Sequence, residues 1–400
     1  MAANHYLDCP EMHLERISLR KEKVPTIVYF GRPTSFSDNS KYLYLNACEE
    51  PCGVDPLWAT GDPRLIDLLG SNGLPVLPLT EPLDGALRVL VKAAAAVFCV
   101  NPNESMVHPM VRAALAGAFK LQLWHGLFAN NLDLQLTDQG TLTDRRLTYQ
   151  LFGAAEVDAV LSPSARHDAN FRGAFGAPYL IRAGYPRNEV LFREASDLER
   201  LGAIPDGWMA DLSPGPRILF CPTFSKVGRP VWLEPWLTAL LRELRAELGV
   251  TTFIKPHPFE AQVAGAFLPL EPGICLLPAV ADIYPSLGTF DLMISDYSSL
   301  MDDFHLTGKP ILILDSPERE GLRDGYLFGE LHQERLAGVV KPAELLEAIR
   351  RALAGQYAGK GSETDYSTTQ LGSCSRINAF LASVVAERCA AGPELVDLGP

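Results

Sequence analysis

Two histidines raise the question of chemistry. His257 stands in KPHP (255–258), directly after the run Thr251-Thr252-Phe253-Ile254, and His125 stands in LWHG (123–126), at the end of the run FKLQLW. Both runs have the length and β-branched or apolar content of buried strands, so each imidazole leaves a strand at its carboxyl end. Beside Gly126 the His125 ring meets little steric crowding, and a neutral imidazole there can take the proton of an attacking hydroxyl. Alone, His257 reads more readily as a structural residue than as a catalyst, and His125 reads equally well as a histidine hydrogen-bonded inside a turn. What turns the balance is their company, beginning with Lys255, which makes the exit of TTFI a pair of cations.

Other strand exits carry hydroxyls. RILFCP runs into Thr223-Phe224-Ser225-Lys226, FDLMIS into Asp296-Tyr297-Ser298-Ser299, and PILIL into Asp315-Ser316. Ser or Asp ahead of an apolar-periodic stretch is an N-cap signal, which predicts a helix from Ser298 or Ser299 to about Thr307. Its free N–H groups and positive dipole end suit a phosphate, although an ordinary capped helix has the same signature. Together with Lys255 and His257 it makes a candidate diphosphate site that stabilises charge on a leaving phosphate. Ser298 lacks the GxSxG setting of a covalent nucleophile. The set requires no metal, while leaving a divalent ion open.

Bulk properties narrow the function classes. A chain of 400 residues exceeds what one core usually serves, and 47% hydrophobic with 21% charged residues describes a globular protein. The formal net charge of −13 argues against general nucleic-acid binding but leaves room for a small anion held by local cations. Eight cysteines, several inside apolar runs, read as buried thiols in a reducing compartment. Only Cys48 and Cys52 are close, in CEEPC, without a second ligand pair at zinc spacing. The amino-terminal residues lack a signal-peptide core, and the longest apolar candidate, LRVLVKAAAAVFCV, is too short to span a membrane and carries Lys92. The expected location is the cytoplasm. Arg16, Arg20, Lys21 and Lys23 beside Ile17 and Leu19 would suit peripheral contact with the inner face of a membrane, although such a run is ordinarily a solvated face.

The elements that must position these residues alternate in the manner of parallel α/β layers. Strands are expected at 26–30, 42–46, 96–100, 119–124, 158–162 and 178–182, with helices at 63–70, 83–94 and 105–117. A second series follows at RILFCP, TTFIKP, GICLLP, FDLMIS and PILIL, with helices at 234–248, 297–307 and 342–354. This gives an α/β protein of two doubly wound domains: residues 1–195, a linker at 196–215 rich in Pro, Gly and Asp, residues 216–365, and a closing helix and tail at 366–400 expected to pack back on the first domain. Ligands of such sheets bind beyond the carboxyl ends of the strands, which is where both histidines lie.

The ordered set LWHG, GYPRN (184–188), PTF (222–224), KPHP and SDYSSLMDDF (295–304) resembles the CDP-glycerol glycerophosphotransferases of teichoic acid and capsule synthesis. The resemblance implies a GT-B arrangement, with two Rossmann-like domains facing across a cleft. It also implies transfer of a polyol phosphate from a CDP-activated donor such as CDP-glycerol to a hydroxyl on a cell-surface glycan or lipid-linked precursor, releasing CMP, with no required cofactor. Carried over, His125 is the general base, and His257 with Lys255, Ser295, Asp296, Ser298 and Ser299 holds the donor diphosphate. Thr223 lies beside that site, and Gly126, Arg187 and Asn188 sit at the cleft, where a bracing role for Arg187 is at least as well supported. The family commonly continues WHG with Thr-Pro and a lysine, where this chain has Leu127, Phe128, Asn130 and Asn131; it often has an arginine after PTF, where this chain has Ser225 and Lys226. These departures bear on the acceptor and the polyol more than on the reaction. Two rival readings remain at this level, a GT-B glycosyltransferase or epimerase using a nucleotide-sugar, and a non-catalytic nucleotide-binding scaffold.

Overall fold

The computed structural model describes residues 9–106, 108–128, 132–138, 142–204, 215–223, 231–257, 272–315, 334, 336–356 and 365–390. Strands β1 (Val24–Phe30), β2 (Asp55–Thr60), β3 (Val76–Pro78), β4 (Ala93–Phe98), β5 (Phe119–Gln122), β6 (Ala159–Ser162) and β7 (Tyr179–Arg182) form a seven-stranded sheet in the order β3-β2-β1-β4-β5-β6-β7. Strands β8 (Arg217–Cys221), β9 (Thr251–Ile254), β10 (Ile274–Leu276), β11 (Leu292–Ser295), β12 (Ile311–Leu314) and β13 (Val339–Val340) form a six-stranded sheet in the order β10-β9-β8-β11-β12-β13. Every pairing in both is parallel. Parallel sheets need cover on both faces, and the central strands β4, β5, β9, β11 and β12 are accordingly buried at every residue.

Several elements differ from the sequence expectation. Residues 42–46, expected as a strand, lie within the helix Asp38–Glu49. That helix is buried along most of its length, between the first sheet, the segment Pro186–Leu191 and the helix Ser373–Ala390, so its apolar residues run continuously and the 3.6-residue period is erased. Conversely, Ala93 and Ala94, good helix formers expected to close the helix 83–94, begin β4. Ala94 and Ala95 join one apolar cluster and Ala93 and Ala96 another, so tertiary burial overrides local propensity. Strands β2 and β3 were absent from the expectation, since Pro56 interrupts one and the other has only three residues. Pro109 splits the helix expected at 105–117 into Pro102–Met106 and Pro109–Ala114.

Two buried ion pairs join the halves. Lys41, in the first, donates to Asp282 Oδ2 at 2.7 Å and to the carbonyls of Glu199 and Leu201 at 2.6 and 2.8 Å. Arg187 pairs with Asp38 at 2.6 Å on its own side and with Asp303 at 2.7 Å across the divide. The helix Ser373–Ala390 returns to the first sheet, where the Asn378 amide donates to Leu43 O and Asn46 Oδ1 and accepts from Tyr29. Residues 205–214 of the expected linker and 391–400 of the expected tail lie outside the described residues.

Candidate active site

The strand order reverses between β1 and β4 in the first sheet and between β8 and β11 in the second. Crevices open at such reversals. Both contribute to one cavity of about 640 Å³, lined by residues at or after the ends of β1 (Arg32 to Ser35, Ser37, Asp38), β4 (Asn101, Asn103, Glu104), β5 (His125), β8 (Cys221 to Thr223), β9 (Lys255 to His257), β10 (Ala279 to Tyr284) and β11 (Ser298 to Leu300).

His125 is held at one nitrogen. Its Nδ1 lies 3.0 Å from the carbonyl oxygen of Cys99, which can only accept, so Nδ1 carries the proton and Nε2 keeps its lone pair. Burial, followed by the charge of Arg32, holds the ring well below the usual imidazole range against that hydrogen bond, with Arg187 and His257 adding to the depression. The ring lies tilted against Trp124, centroids 4.2 Å apart, and Trp124 packs edge-on against Phe175. Trp124 itself has φ +57, an unusual conformation for a bulky residue, fixed by its N–H on Gln122 Oε1 and its carbonyl under the Asn39 amide.

On the opposite wall, His257 is not a cation at neutral pH. Burial, then Arg32 and Lys255, lower the His257 pKa to about 4, so this imidazole is neutral before an anion arrives. Lys255 is also pushed below its ordinary value, chiefly by burial, and its Nζ donates to Ala279 O at 2.9 Å. Among the described residues it meets no carboxylate within ion-pair distance.

The remaining expected residues divide into those at the cavity and those behind it. Ser298 and Ser299 line it, and Ser298 Oγ accepts from the Leu300 N–H at 3.3 Å. The helix they precede, Leu300–His305, is shorter than expected and too short to lend much dipole. Thr223 lines the cavity, but its hydroxyl and N–H both donate to Asp296 Oδ1, at 2.6 and 3.0 Å. Asp296 is therefore engaged by Thr223 and does not line the cavity. It is buried, accepts also from the Tyr297 N–H, and orients Thr223. Ser295 is likewise withdrawn, its hydroxyl donating to Cys221 O at 2.5 Å. Asn188 turns away from the cavity and donates to Gln370 Oε1. Phe224 to Lys226, Asn130, Asn131 and Ser316 lie outside the described residues.

Arg187 is a brace that also lines the cavity. Its guanidinium joins Asp38, Asp303 and the carbonyl of His125 at 3.0 Å, which steadies the base from below. Asp303 receives further hydrogen bonds from the hydroxyls of Tyr284 and Tyr366. Gly126 has φ +147, and a Cβ there would lie 2.5 Å from Ser299 Oγ, so this glycine lets the two walls meet.

Sequence reasoning passed over Arg32, Asp38, Asn101, Asn103, Tyr149 and Tyr284, all of which line the cavity. The signal for Arg32 was present, since GRPTSFSDN is the exit of the recognised strand TIVYF. Among the described residues no group of three or more His, Cys, Asp or Glu side chains is arranged to hold a metal, all eight cysteines are free, and no helix is long and apolar enough to cross a membrane. Of the amino-terminal cations, Lys23 is spent on the carbonyls of Ser18 and Val91, while Ile17 and Leu19 are exposed.

The chain is 28% identical to the teichoic acid poly(glycerol phosphate) polymerase of Bacillus subtilis (strain 168) over 256 residues, 59% of this chain and 33% of that protein. It thus spans about a third of that relative's length. The solved structure of a wall teichoic acid polymerase TagF variant soaked with CDPG matches with a TM-score of 0.70 at 19% identity, covering 95% of this chain and 94% of that one. A UDP-N-acetylglucosamine 2-epimerase structure matches with a TM-score of 0.56 at 12% identity, covering 94% of this chain and all of its own. Both likenesses bear on the fold, two Rossmann-like layers in the GT-B manner. The family described as CDP-glycerol:poly(glycerophosphate) glycerophosphotransferase matches residues 13–351, and with that match over most of its length the chain belongs to this family.

Proposed function

We propose that this protein transfers glycerol phosphate, or a related polyol phosphate, from a CDP-activated donor to an acceptor hydroxyl on a cell-surface glycan or lipid-linked precursor, releasing CMP. The observation that carries the reading is the meeting of His125 and His257, from different sheets, in one cavity with Lys255, Ser298 and Ser299. In the reaction Nε2 of His125 takes the acceptor hydroxyl proton as the oxygen attacks the distal phosphorus in line. The bond to the oxygen bridging the two phosphates breaks, and CMP leaves with that electron pair. Lys255, the serine hydroxyls and a hydrogen bond from His257 offset the charge that grows on the departing phosphate. The donor's own negative charge favours protonation of His257 once the complex has formed.

CMP release from CDP-glycerol in the presence of acceptor tests the proposal. His125→Ala is expected to lower the rate about a hundredfold or more, the usual scale for losing a general base, while CMP binding persists. A variant working at the parental rate would remove His125 from its role, and turnover of UDP-sugars alone would reject the donor class. We further propose that the cavity's cations suffice without a resident metal. EDTA in the same assay should leave the rate unchanged, and a loss restored by a divalent ion would overturn that part.

A further inference from the structure

We propose that Arg32 binds the phosphate being transferred, reaching it from the first sheet, so that the donor diphosphate lies between cations supplied by both sheets. This rests on the CDP-donor reading and adds to it a residue on the opposite wall from Lys255 and His257.

Position is the first ground. Arg32 leaves β1 where the strand order of the first sheet reverses, the place at which open parallel sheets take their ligands, and it lines the same cavity as both histidines and Lys255. Its loop is fixed at several points. A Cβ on Gly31 would lie 2.7 Å from the Trp58 ring, so the chain passes that ring closely. Pro33 restricts Arg32 to extended backbone. The Ser35 N–H returns to Arg32 O at 3.3 Å, and Ser35 Oγ donates across the cavity to Val280 O at 2.9 Å.

Charge is the second ground. Among the described residues the Arg32 guanidinium has no carboxylate within ion-pair distance. The carboxylates that could have neutralised it are engaged elsewhere: Asp38 with Arg187, and Asp282 with Lys41 and the Tyr42 hydroxyl. Glu104, on the exposed rim, already has an interaction of its own. The Arg32 charge helps to depress His125, His257 and Lys255 alike, which puts it within electrostatic reach of all three. Arg32 and Lys255 share one cavity with two imidazoles that resist protonation, in a chain of net charge −13, a field that a bound dianion would relieve. A guanidinium grips phosphate oxygens through two parallel N–H donors, and near His125 it would steady the phosphoryl oxygens during transfer.

CDP carries the second phosphate and CMP does not, so the two nucleotides separate this role from general attraction. Titration calorimetry at fixed salt would compare both ligands on the parent, Arg32→Gln and Arg32→Lys. Arg32→Gln is expected to weaken CDP about tenfold or more, the loss of a charge-assisted pair, and CMP by less than about twofold. Arg32→Lys, which keeps the charge without the fork, should fall between and guards against a Gln variant that fails to fold. Equal losses for the two nucleotides, or unchanged CDP affinity, would overturn the assignment. A parent that binds neither nucleotide would instead sink the donor reading, and this inference with it.

Discussion

A carbonyl oxygen decides which nitrogen of His125 is the base. Cys99 O claims the proton on Nδ1, so Nε2 is the atom free to accept. Because burial and Arg32 keep this ring neutral, and His257 titrates near 4, the form competent for proton abstraction persists well into acid. The sign follows from the role: a base works above its own pKa and loses function as pH falls through it. For the free protein, kcat/KM is therefore expected to stay level through about pH 6.5, the ordinary imidazole value, and to decline only in more acid solution. An acid limb centred at the ordinary value would contradict the burial of His125. The sequence marked both imidazoles but not their protonation, because their desolvation and the Arg32 charge come from loops far away in the chain.

At the scale of elements, the turn after β5 carries the most constraint. Trp124 and Gly126 both have positive φ, and the glycine's missing side chain is where Ser299 arrives from the other sheet. Gly126→Ala is expected to cost about 1–3 kcal/mol, the range for strained backbone, and to raise the KM for donor by displacing Ser299. Urea unfolding together with donor kinetics checks this; an alanine variant unchanged in both would show that the walls can part. Strand exits were readable because short β-branched runs ending in polar residues announce them. The helix Asp38–Glu49 was not, since burial on several sides removes the polar stripe that distinguishes a helix from a strand. Nor could spacing show that Ser295 and Asp296 bond to Cys221 and Thr223, because those partners lie 74 and 73 residues away.

Across the whole molecule, the halves are tied by charges as well as by apolar contact. One apolar cluster runs from Ile27 and Leu43 through Tyr284 to Met301 and Phe304, without a break at the cleft. Arg187→Met removes one partner of a buried network and leaves Asp303 buried without its cation, so a loss of about 3–5 kcal/mol is expected, as when other buried pairs are broken. Chemical denaturation of parent and variant, followed by tryptophan fluorescence, provides the check, and a loss below about 1 kcal/mol would mean that the pair behaves as a surface one. Family membership was legible from five short motifs in order, whereas these ties were not, since Lys41 and Asp282 lie 241 positions apart in the chain.

The amide that Asn378 lays against Leu43 and Asn46 has a consequence for synthesis. The helix Asp38–Glu49 leaves the ribosome before its outer cover, residues 373–390, which emerges more than three hundred residues later. Until then the nascent chain shows water the side of Asp38–Glu49 that this helix will hide, an exposed face of the kind that makes partly folded chains prone to aggregate.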